Sequence, residues 1–431
     1  MSNWLQKQSK NKFISALSIL VAGSAVSNLI LVSITPILTR IYTTEEFGVL
    51  SVYSALLYML MIIVSLRYEA AIVLPKSEKE ATTLLFISNV ATFFVSGVVL
   101  VVMLVFPLGN WLNIPEASSY FWLIAFSLFF VGIFQNFNNW ALRNESYGII
   151  SKSKIMMNTS QGISQLAFGF GNLGLVGLIL GEVLGRIAGA IKYMKFYKSD
   201  IRESFKTSKK EALVLMKRYI KFPLVSSISG LLASIGTNLP TLFLAAFFDV
   251  QSAGYYYLAQ KLLTVPENLI GFSASQVYLS QIAKSVNEGE SVRDYCIDTV
   301  KKLAVITLVT MLIIDIVSPL VFHFLFGDEW GTTVTFIQIL SIMYFTRIVL
   351  QPFNNIFQIY EAFTSQIAAE VTRFILIIIA IVTSSIFSVT NVQALWSISI
   401  LTTVGYIICA LLAWQVMKKV GEKNYVEDPK V

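Results

Sequence analysis

Charged residues are scarce in this sequence. They make up 13% of its 431 residues, whereas 55% of the residues are hydrophobic; an ordinary soluble domain carries about 25% charged residues. A soluble chain of this length would divide into domains with polar outer faces. Here apolar runs recur along the whole chain, so the composition indicates a protein that is dissolved in lipid.

Cysteine and histidine are also nearly absent. Cys296 and Cys409 are the two cysteines and form no CxxC motif, so we expect neither disulfides nor a metal site. His323 is the single histidine, which argues against metal or triad chemistry that depends on His. The nucleotide-binding motif GxxxxGK[ST] is missing, and the predicted outer loops are short. We therefore expect a protein that has no cofactor and is not an enzyme.

Twelve apolar runs are long enough to cross a membrane, because a membrane helix needs about 20 largely apolar residues. The fifth run is the weakest, since Asn158, Gln161 and Gln165 are spread through it. The N-terminus is polar and basic without a small-residue cleavage site, so we expect the first run to stay in the protein as a membrane helix. The runs cover about 14–38, 48–73, 82–106, 119–141, 154–172, 174–196, 219–247, 253–282, 302–326, 333–359, 366–388 and 392–416.

The loops between these runs alternate in charge. Lysine and arginine collect in every second loop and in both tails, most densely between Lys192 and Arg218, whereas the opposite loops carry Arg40 and otherwise acids or nothing. The tenth loop, around Glu361, is the exception. Because cytoplasmic loops carry an excess of Lys and Arg, the pattern predicts twelve helices with both termini in the cytoplasm. The net charge of +7 then reflects topology and contact with anionic lipids, and we expect no nucleic-acid partner.

Short sequence echoes indicate an internal duplication. The stretch TTEEFGVLSVYSALL around Gly48 is echoed by DVQSAGYYYLAQKLL around Gly254, and VFPL is later echoed by VSPL. Tandem lobes are a common transporter architecture. We therefore predict an all-α membrane protein with two six-helix lobes and a basic cytoplasmic linker. The predicted boundaries are 1–197 for the first lobe, 198–216 for the linker and 217–431 for the second lobe.

Ionisable residues inside the runs are candidate functional residues, because burying one in lipid costs at least about 2.5–3.5 kcal/mol. Arg67 and Glu69 are two residues apart, which on a helix means nearly opposite faces. We therefore expect a poor mutual contact, with at least one of the two residues bridging to another helix or facing a cavity. Glu182 and Arg186 have i,i+4 spacing and are predicted to form a structural pair. Arg40, at the outer end of the first run, is either an interfacial anchor or a cavity residue.

The other intramembrane charges have no evident partner in their own helix. Lys261 and Glu267 fall on different faces of the eighth run, Arg347 lies near the middle of the tenth run, and Asp315 lies near the middle of the ninth. We predict that Lys261 and Arg347 line a cavity. For Asp315 two readings stay open, a coupling-ion carboxylate or a partner for one of these cations.

Three stretches carry a family resemblance: TPILTRIYTTEEFGVLSVY, SLRYEAAIVLPKSEKEA and AGYYYLAQKLLTVPENLIG. They resemble the Wzx-type O-antigen and polysaccharide flippases of the multidrug/oligosaccharidyl-lipid/polysaccharide exporter superfamily. The resemblance spans essentially the whole chain and is most specific from Thr35 to Ala81. It implies a MATE-like V-shaped bundle around a partly cationic cavity. It also implies flipping of undecaprenyl-pyrophosphate-linked oligosaccharide repeat units to the outer leaflet by alternating access, for O-antigen, capsule or exopolysaccharide assembly.

The resemblance also implies roles for particular residues and partners. The cations that the resemblance places against the pyrophosphate and the sugar acids are Arg40, Arg67, Lys261 and Arg347. On their chemistry, and not on the resemblance, Glu69, Asp315 and Glu267 are the candidate coupling residues or charge partners. The implied location is the bacterial inner membrane. The implied partners are the lipid-linked oligosaccharide, membrane lipids, and a polymerase and chain-length regulator of the same pathway, with H⁺ or Na⁺ as the coupling ion.

Three other functions compete with this interpretation. A drug or metabolite exporter of the same superfamily, driven by H⁺ or Na⁺, should centre on acids and aromatics within its cavity. A peptidoglycan-precursor flippase typically has extra helices, which we do not expect here. A membrane polysaccharide polymerase or glycosyltransferase is expected to have a large external loop.

Overall fold

The computed structural model describes residues 2–106, 108–111, 114–272, 292–360 and 362–427, and this part of the chain contains helices and turns but no strand. The first eight helices, α1 to α8, are Ser2–Ile41, Thr44–Leu60, Tyr68–Ala71, Glu78–Val105, Leu108–Trp111, Leu123–Arg143, Tyr147–Phe170 and Gly174–Phe196. Helices α9 to α16 are Lys198–Ser204, Lys209–Arg218, Ser227–Phe247, Val250–Pro266, Val292–Phe326, Gly331–Ile359, Phe363–Ile386 and Asn391–Glu427.

Side-chain caps fix the starts of two helices in the echoing stretches. Thr43 accepts a hydrogen bond from the backbone N–H of Glu46, and the Glu46 carboxylate accepts one from the N–H of Thr43, which completes a capping box at α2. Asp249 accepts a hydrogen bond from the N–H of Ser252 at the start of α12. Both caps satisfy N–H groups that have no partner inside the helix. The polar residues that separate the apolar runs therefore also start the next helices.

Each of the twelve predicted runs overlaps a helix in the described part of the chain, and the prediction of an all-α membrane protein is confirmed. Eight helical segments are long and apolar enough to cross a membrane by length and composition. Helices α2, α6, α7 and α12 lie outside those eight segments. Helices α2 and α12 have only 17 residues each, whereas α6 and α7 carry several amide side chains.

The two runs that contain the echoing stretches, each predicted as a single helix, are interrupted. In the run 48–73, α2 ends at Leu60 and a turn leads to α3, with the backbone at Leu66 and Arg67 in the left-handed region at φ 53° and 61°. In the run 253–282, α12 ends at Pro266 and continues as a π-helical segment, Glu267–Phe272; the rest of that run lies outside the described residues. Mean hydropathy does not register such breaks, because the residues on either side of a break are equally apolar.

The two interruptions occupy equivalent places in the echoing stretches. Helices α2 and α12 are both 17 residues long, and their caps both stand five residues before the shared glycine, Gly48 or Gly254. The regular α-helix therefore stops at the same distance beyond each glycine. This shared geometry is what an internal duplication produces.

Helices α7 and α8 pack closely because α8 presents glycines to α7. A Cβ atom added at Gly181 would lie 2.3 Å from Cγ of Gln165, and one added at Gly185 would lie 2.6 Å from Cβ of Gln161. Small residues at four-residue spacing allow this approach in membrane helices. The buried amides of α7 that weaken its hydropathy signal therefore pack against a helix instead of lipid, and Gln165 donates a hydrogen bond to the carbonyl of Leu178.

Contacts divide the chain into two compact units, Met1–Ala246 and Phe247–Val431. In the first unit a core of buried residues gathers around Trp140, Phe137 and Tyr193. In the second unit a smaller core gathers around Phe357 and Ala413. Helix α11 belongs almost entirely to the first unit, whereas the sequence assigns the run 219–247 to the second lobe. The predicted lobes, which rest on the duplication, stay a prediction.

Candidate functional site

The interruption after α2 brings Arg67 and Glu69 together. Nη1 of Arg67 lies 3.7 Å from Oε1 of Glu69, and the hydroxyl of Ser65 donates a hydrogen bond of 2.5 Å to Oε2 of Glu69. The expectation that these two charges do not pair was wrong, because it assumed a continuous helix. The left-handed backbone at Leu66 and Arg67 turns the arginine toward the carboxylate two residues later.

Neighbouring elements of the first unit hold this turn in place. Nη1 of Arg143, at the end of α6, donates hydrogen bonds of 3.2 Å and 2.7 Å to the carbonyls of Ile72 and Pro75. The hydroxyl of Tyr68 donates a bond of 3.2 Å to the carbonyl of Met216. A left-handed conformation in a residue other than glycine costs about 1–2 kcal/mol, so these contacts help to offset the strain of two such residues in a row.

Glu182 and Arg186, on α8, lie 3.0 Å apart between Oε1 and Nη2. The other oxygen of Glu182 accepts a hydrogen bond of 2.9 Å from the hydroxyl of Ser54, and Nη2 of Arg186 donates one of 3.3 Å to the hydroxyl of Tyr58. The side chains of the pair are only 1% and 13% exposed. The pair that the i,i+4 spacing predicts is therefore present, and its contacts connect α8 to α2.

In the second unit Glu267 lies against Arg347. Oε1 of Glu267, in the π-helical segment after α12, is 2.7 Å from Nε of Arg347 in the middle of α14. The sequence offered Glu267 as a possible charge partner but did not assign it to Arg347, because its pairing rules apply within one helix and these residues are in different helices. The ion pair joins the interrupted helix to α14.

Aromatic rings surround this second pair. The guanidinium of Arg347 lies 5.6 Å from the ring centre of Tyr344, and the hydroxyls of Tyr256 and Tyr406 are among its electrostatic neighbours. A planar guanidinium beside aromatic faces gains a cation–π interaction. The i,i+3 spacing of Tyr344 and Arg347 is the one local sequence signal for these tyrosines as neighbours of Arg347.

Gly271 allows the π-helical segment to approach α14. A Cβ atom at this position would lie 2.3 Å from Oε1 of Gln351, so a larger residue would push the segment away. Oε1 of Gln351 is buried and has no hydrogen-bond partner among the described residues. Gln351 lies one helical turn after Arg347, so an acceptor atom without a partner lies close to the ion pair.

The other predicted site residues have the following surroundings. Arg40 is exposed at the end of α1. Nζ of Lys261 lies 5.9 Å from the ring centre of Tyr257, one turn earlier on α12. Asp315 is half-buried and accepts a hydrogen bond of 2.7 Å from the hydroxyl of Ser341. Within the described residues its partner is thus a hydroxyl and not one of the four predicted cations.

The Arg67–Glu69 and Glu267–Arg347 pairs have the same arrangement of exposure. The carboxylate side chains are 6% and 12% exposed, whereas the arginine side chains are 33% and 30% exposed. In each pair the arginine side chain is therefore more exposed than the carboxylate side chain. A partly exposed arginine side chain is costly against hydrocarbon and stable against water or a polar molecule.

A metal centre has no support in the part of the chain that the structure describes, where no group of three or more His, Cys, Asp or Glu residues could hold an ion. The guanidinium groups are suited instead to anions, because Arg presents parallel N–H donors that match phosphate and carboxylate oxygens. The absence of a cofactor stays a prediction.

Comparison with known proteins gives a family and a curated relative. The profile of the family described as "Polysaccharide biosynthesis protein" matches residues 37–335, which is more than half of the chain. The curated relative is the teichuronic acid biosynthesis protein TuaB of Bacillus subtilis (strain 168), with 22% identity over 182 residues. That match covers 42% of this chain and 37% of the relative's length.

Solved structures share the fold. An inward-facing multidrug resistance MATE family transporter of the MOP superfamily has a TM-score of 0.71 at 14% identity, and the match covers 94% of this chain and 96% of that one. Lipid II flippase MurJ, in an inward closed conformation, has a TM-score of 0.64 at 14% identity, with 95% and 87% covered. At such low identity these similarities establish the fold alone.

Proposed function

We propose a function that proceeds from one premise: the chain belongs to the polysaccharide biosynthesis protein family. In this multi-pass membrane protein the observation that carries the proposal is two ion pairs, Arg67–Glu69 and Glu267–Arg347, in which the arginine side chain is more exposed than the carboxylate. We infer that the protein moves a lipid-linked oligosaccharide from the cytoplasmic to the outer leaflet. The link between lipid and sugar would be an anionic phosphate, as in undecaprenyl pyrophosphate. Each arginine would contact the head group during transfer while the lipid tail stays in the bilayer.

The physical case rests on the cost of moving charge through hydrocarbon. A bare pyrophosphate-sugar head group cannot cross, since unpaired polar and charged groups are costly there. Fixed guanidinium groups inside a hydrated path lower this barrier. Glu69 and Glu267 contact their arginines and would hold them in position, while the partly exposed arginine side chains would contact the cargo. Rocking of the repeats would expose the path to each side in turn.

Related expectations belong to the same proposal. Arg40 and Lys261 would extend the cationic path. The protein would lie in the bacterial inner membrane with both termini in the cytoplasm, as its loop charges predict. The family also supports a place beside a polymerase and a chain-length regulator, which would lengthen the repeat units after transfer.

The direct test uses a strain that lacks this gene and measures the pool and sidedness of lipid-linked oligosaccharides with a periplasmic-access probe. Complete repeat units should accumulate on the cytoplasmic side and be cleared by the wild-type gene. Glu267→Gln combined with Arg347→Gln removes the cation without leaving a buried charge alone. We expect this variant to reach the membrane at wild-type level and to transfer about 10- to 100-fold less.

The matched control is Glu80→Gln combined with Arg218→Gln, which neutralises an exposed pair with side chains 36% and 57% exposed. This control should transfer at the wild-type rate. Full transfer by the Glu267/Arg347 variant would remove that pair from the path. An unchanged lipid-linked pool with altered drug sensitivity would instead favour an exporter of small molecules.

Asp315 is our proposed coupling carboxylate. Its partner in the described part of the chain is the hydroxyl of Ser341, which allows either protonation state. If a proton gradient drives the cycle, collapsing that gradient in proteoliposomes should slow transfer by the wild-type protein, and Asp315→Asn should transfer slowly with and without the gradient. Transfer by the wild-type protein that ignores both H⁺ and Na⁺ gradients would contradict an ion-driven cycle.

A further inference from the structure

A cavity of about 500 Å³ opens between the start of α7 and the end of α8. Three of its lining residues are lysines, Lys152, Lys192 and Lys195, and none of its lining residues is an acid. Within the described residues, none of these lysines takes part in an ion pair. The other lining residues are Ser146, Gly148, Ile149 and Phe196. Three uncompensated cations around one cavity favour an anionic occupant.

A second cavity illustrates a site in which charged side chains find partners within the protein. It has a volume of about 410 Å³ and is lined by both acids and lysines. Its charges find partners within the protein: Nζ of Lys79 lies 2.5 Å from Oε1 of Glu211, and Nε1 of Trp140 donates a bond of 3.0 Å to Asp200. Within the described residues the lysines of the lysine cavity have no such ion pairs. The excess of positive charge is therefore a feature of that cavity.

Exposed apolar side chains continue from the lysines along both helices. On α7 they follow Lys152 by four and eleven residues, and on α8 they precede Lys195 by four and eleven residues. Both spacings return to the same face of a helix, and α7 and α8 pack against each other. These side chains, which are 36–58% exposed, are Met156 and Ile163 on α7, and Ile191 and Leu184 on α8.

We propose that the lysine cavity binds the phosphate head group of an anionic membrane phospholipid, with the acyl chains along the exposed apolar side chains of α7 and α8. The cavity supplies cations, and the adjoining surfaces of α7 and α8 supply apolar side chains, so together they match an amphipathic molecule. A free phosphate would contact only the cavity. Basic pockets between membrane helices on the cytoplasmic side are suited to such head groups, and the loop charges predict that side here. This lipid is separate from the transported cargo, so the site goes beyond the proposed function.

The binding test uses the purified, delipidated full-length protein in a neutral detergent and titrates it with fluorescent phosphatidylglycerol. The variant Lys152→Gln, Lys192→Gln, Lys195→Gln removes the three cavity cations. The control variant Lys209→Gln, Lys210→Gln, Lys217→Gln removes equal charge from the exposed surface of α10. We expect the cavity variant to bind about 100-fold more weakly, which is about 2.8 kcal/mol at 1.4 kcal/mol per tenfold, and the control to bind as the wild type does.

Further arms identify the ligand and exclude misfolding. Phosphatidylcholine should bind weakly, and inorganic phosphate at millimolar concentration should not displace phosphatidylglycerol. The variant with Arg at all three cavity positions should bind like the wild type, which separates lost charge from lost fold. Equal weakening in the cavity and control variants would overturn the site, and displacement by inorganic phosphate would overturn the assignment to a lipid.

Discussion

The Arg67–Glu69 and Glu267–Arg347 pairs have the same pattern of exposure but are built in opposite ways. In the first unit the partners are two residues apart, and a strained left-handed turn brings them together. In the second unit the partners come from the π-helical segment after α12 and from the distant helix α14. The first contact is 3.7 Å long and the second 2.7 Å.

The two pairs show two structural ways to place a carboxylate against a more exposed arginine side chain. A helix break lets the backbone itself supply both charges, at the cost of local strain. A helix packed against its neighbour supplies them without left-handed residues, but the pair then depends on the tertiary structure around it. The two pairs should therefore respond differently when the carboxylate is neutralised.

Glu267→Gln is expected to have the largest effect on stability. Its neutral amide leaves Arg347 without its counter-charge, and breaking a buried pair in this way costs about 3 kcal/mol at the low end of the usual range. We take the low end because the Arg347 side chain is 30% exposed. Thermal unfolding of the purified protein should report a clearly lower midpoint.

A charge exchange sharpens this prediction. Glu267→Arg with Arg347→Glu restores an ion pair between the same helices but presents a carboxylate where the guanidinium was. We expect most of the lost stability to return while transfer of an anionic head group stays lost. Recovery of both properties would mean that the pair holds the fold and does not contact the cargo.

Glu69→Gln should have a smaller effect on stability, about 1 kcal/mol. The amide oxygen can still accept the hydrogen bond from Ser65, and the backbone of the turn still holds Arg67 in place. The same thermal unfolding experiment measures this difference. A loss as large as that of Glu267→Gln would contradict the view that the first pair is held by its backbone.

The smallest effect is expected at the exposed Lys79–Glu211 pair, which serves as a baseline outside the membrane. The hydrogen bond from Lys79 lowers the pKa of Glu211 below its usual value. Because the folded-state pKa is depressed, the pair's contribution is complete above the unfolded pKa of about 4.3 and is lost as the pH falls through the lower folded value.

The protection factors of the α10 amides in hydrogen exchange, which compare each measured rate with the intrinsic rate at the same pH, should therefore fall slightly at a pH below about 4. Glu211→Gln should remove this pH dependence, whereas high salt should weaken the Lys79–Glu211 ion pair at neutral pH. Protection factors that stay constant with pH in the wild type would show that the Lys79–Glu211 pair does not restrain α10.

Much of the fold could be predicted from the sequence, because lipid imposes a simple rule. Each of the twelve runs overlaps a helix because a chain in hydrocarbon must satisfy its backbone hydrogen bonds within the segment. The Glu182–Arg186 pair could also be predicted, since its i,i+4 spacing is a property of one helix. The interruption of the run 48–73 could not, because Ser65 and Arg67 are averaged with a long apolar run and no glycine or proline marks the left-handed turn.

For the candidate site, too, local properties could be predicted from the sequence and tertiary contacts could not. Sequence identified Arg67, Glu69, Glu267 and Arg347 as charges that need an explanation, because any charge in an apolar run is costly. It could not pair them, since one pair requires a left-handed turn and the other a contact between different helices. The tyrosines around Arg347 and the lysine cavity were missed for the same reason: their members are ordinary residues until packing brings them together.

The sequence by itself determined the class of the protein, the order of its helices and which residues carry charge into the membrane. These properties follow from local composition, length and the cost of polar groups in lipid. Only the tertiary structure decided which acid contacts which arginine, how much of each arginine side chain stays exposed, and where three lysines share one cavity. Such contacts depend on where the backbone breaks and on which helix faces cross, and both are set by packing between distant parts of the chain.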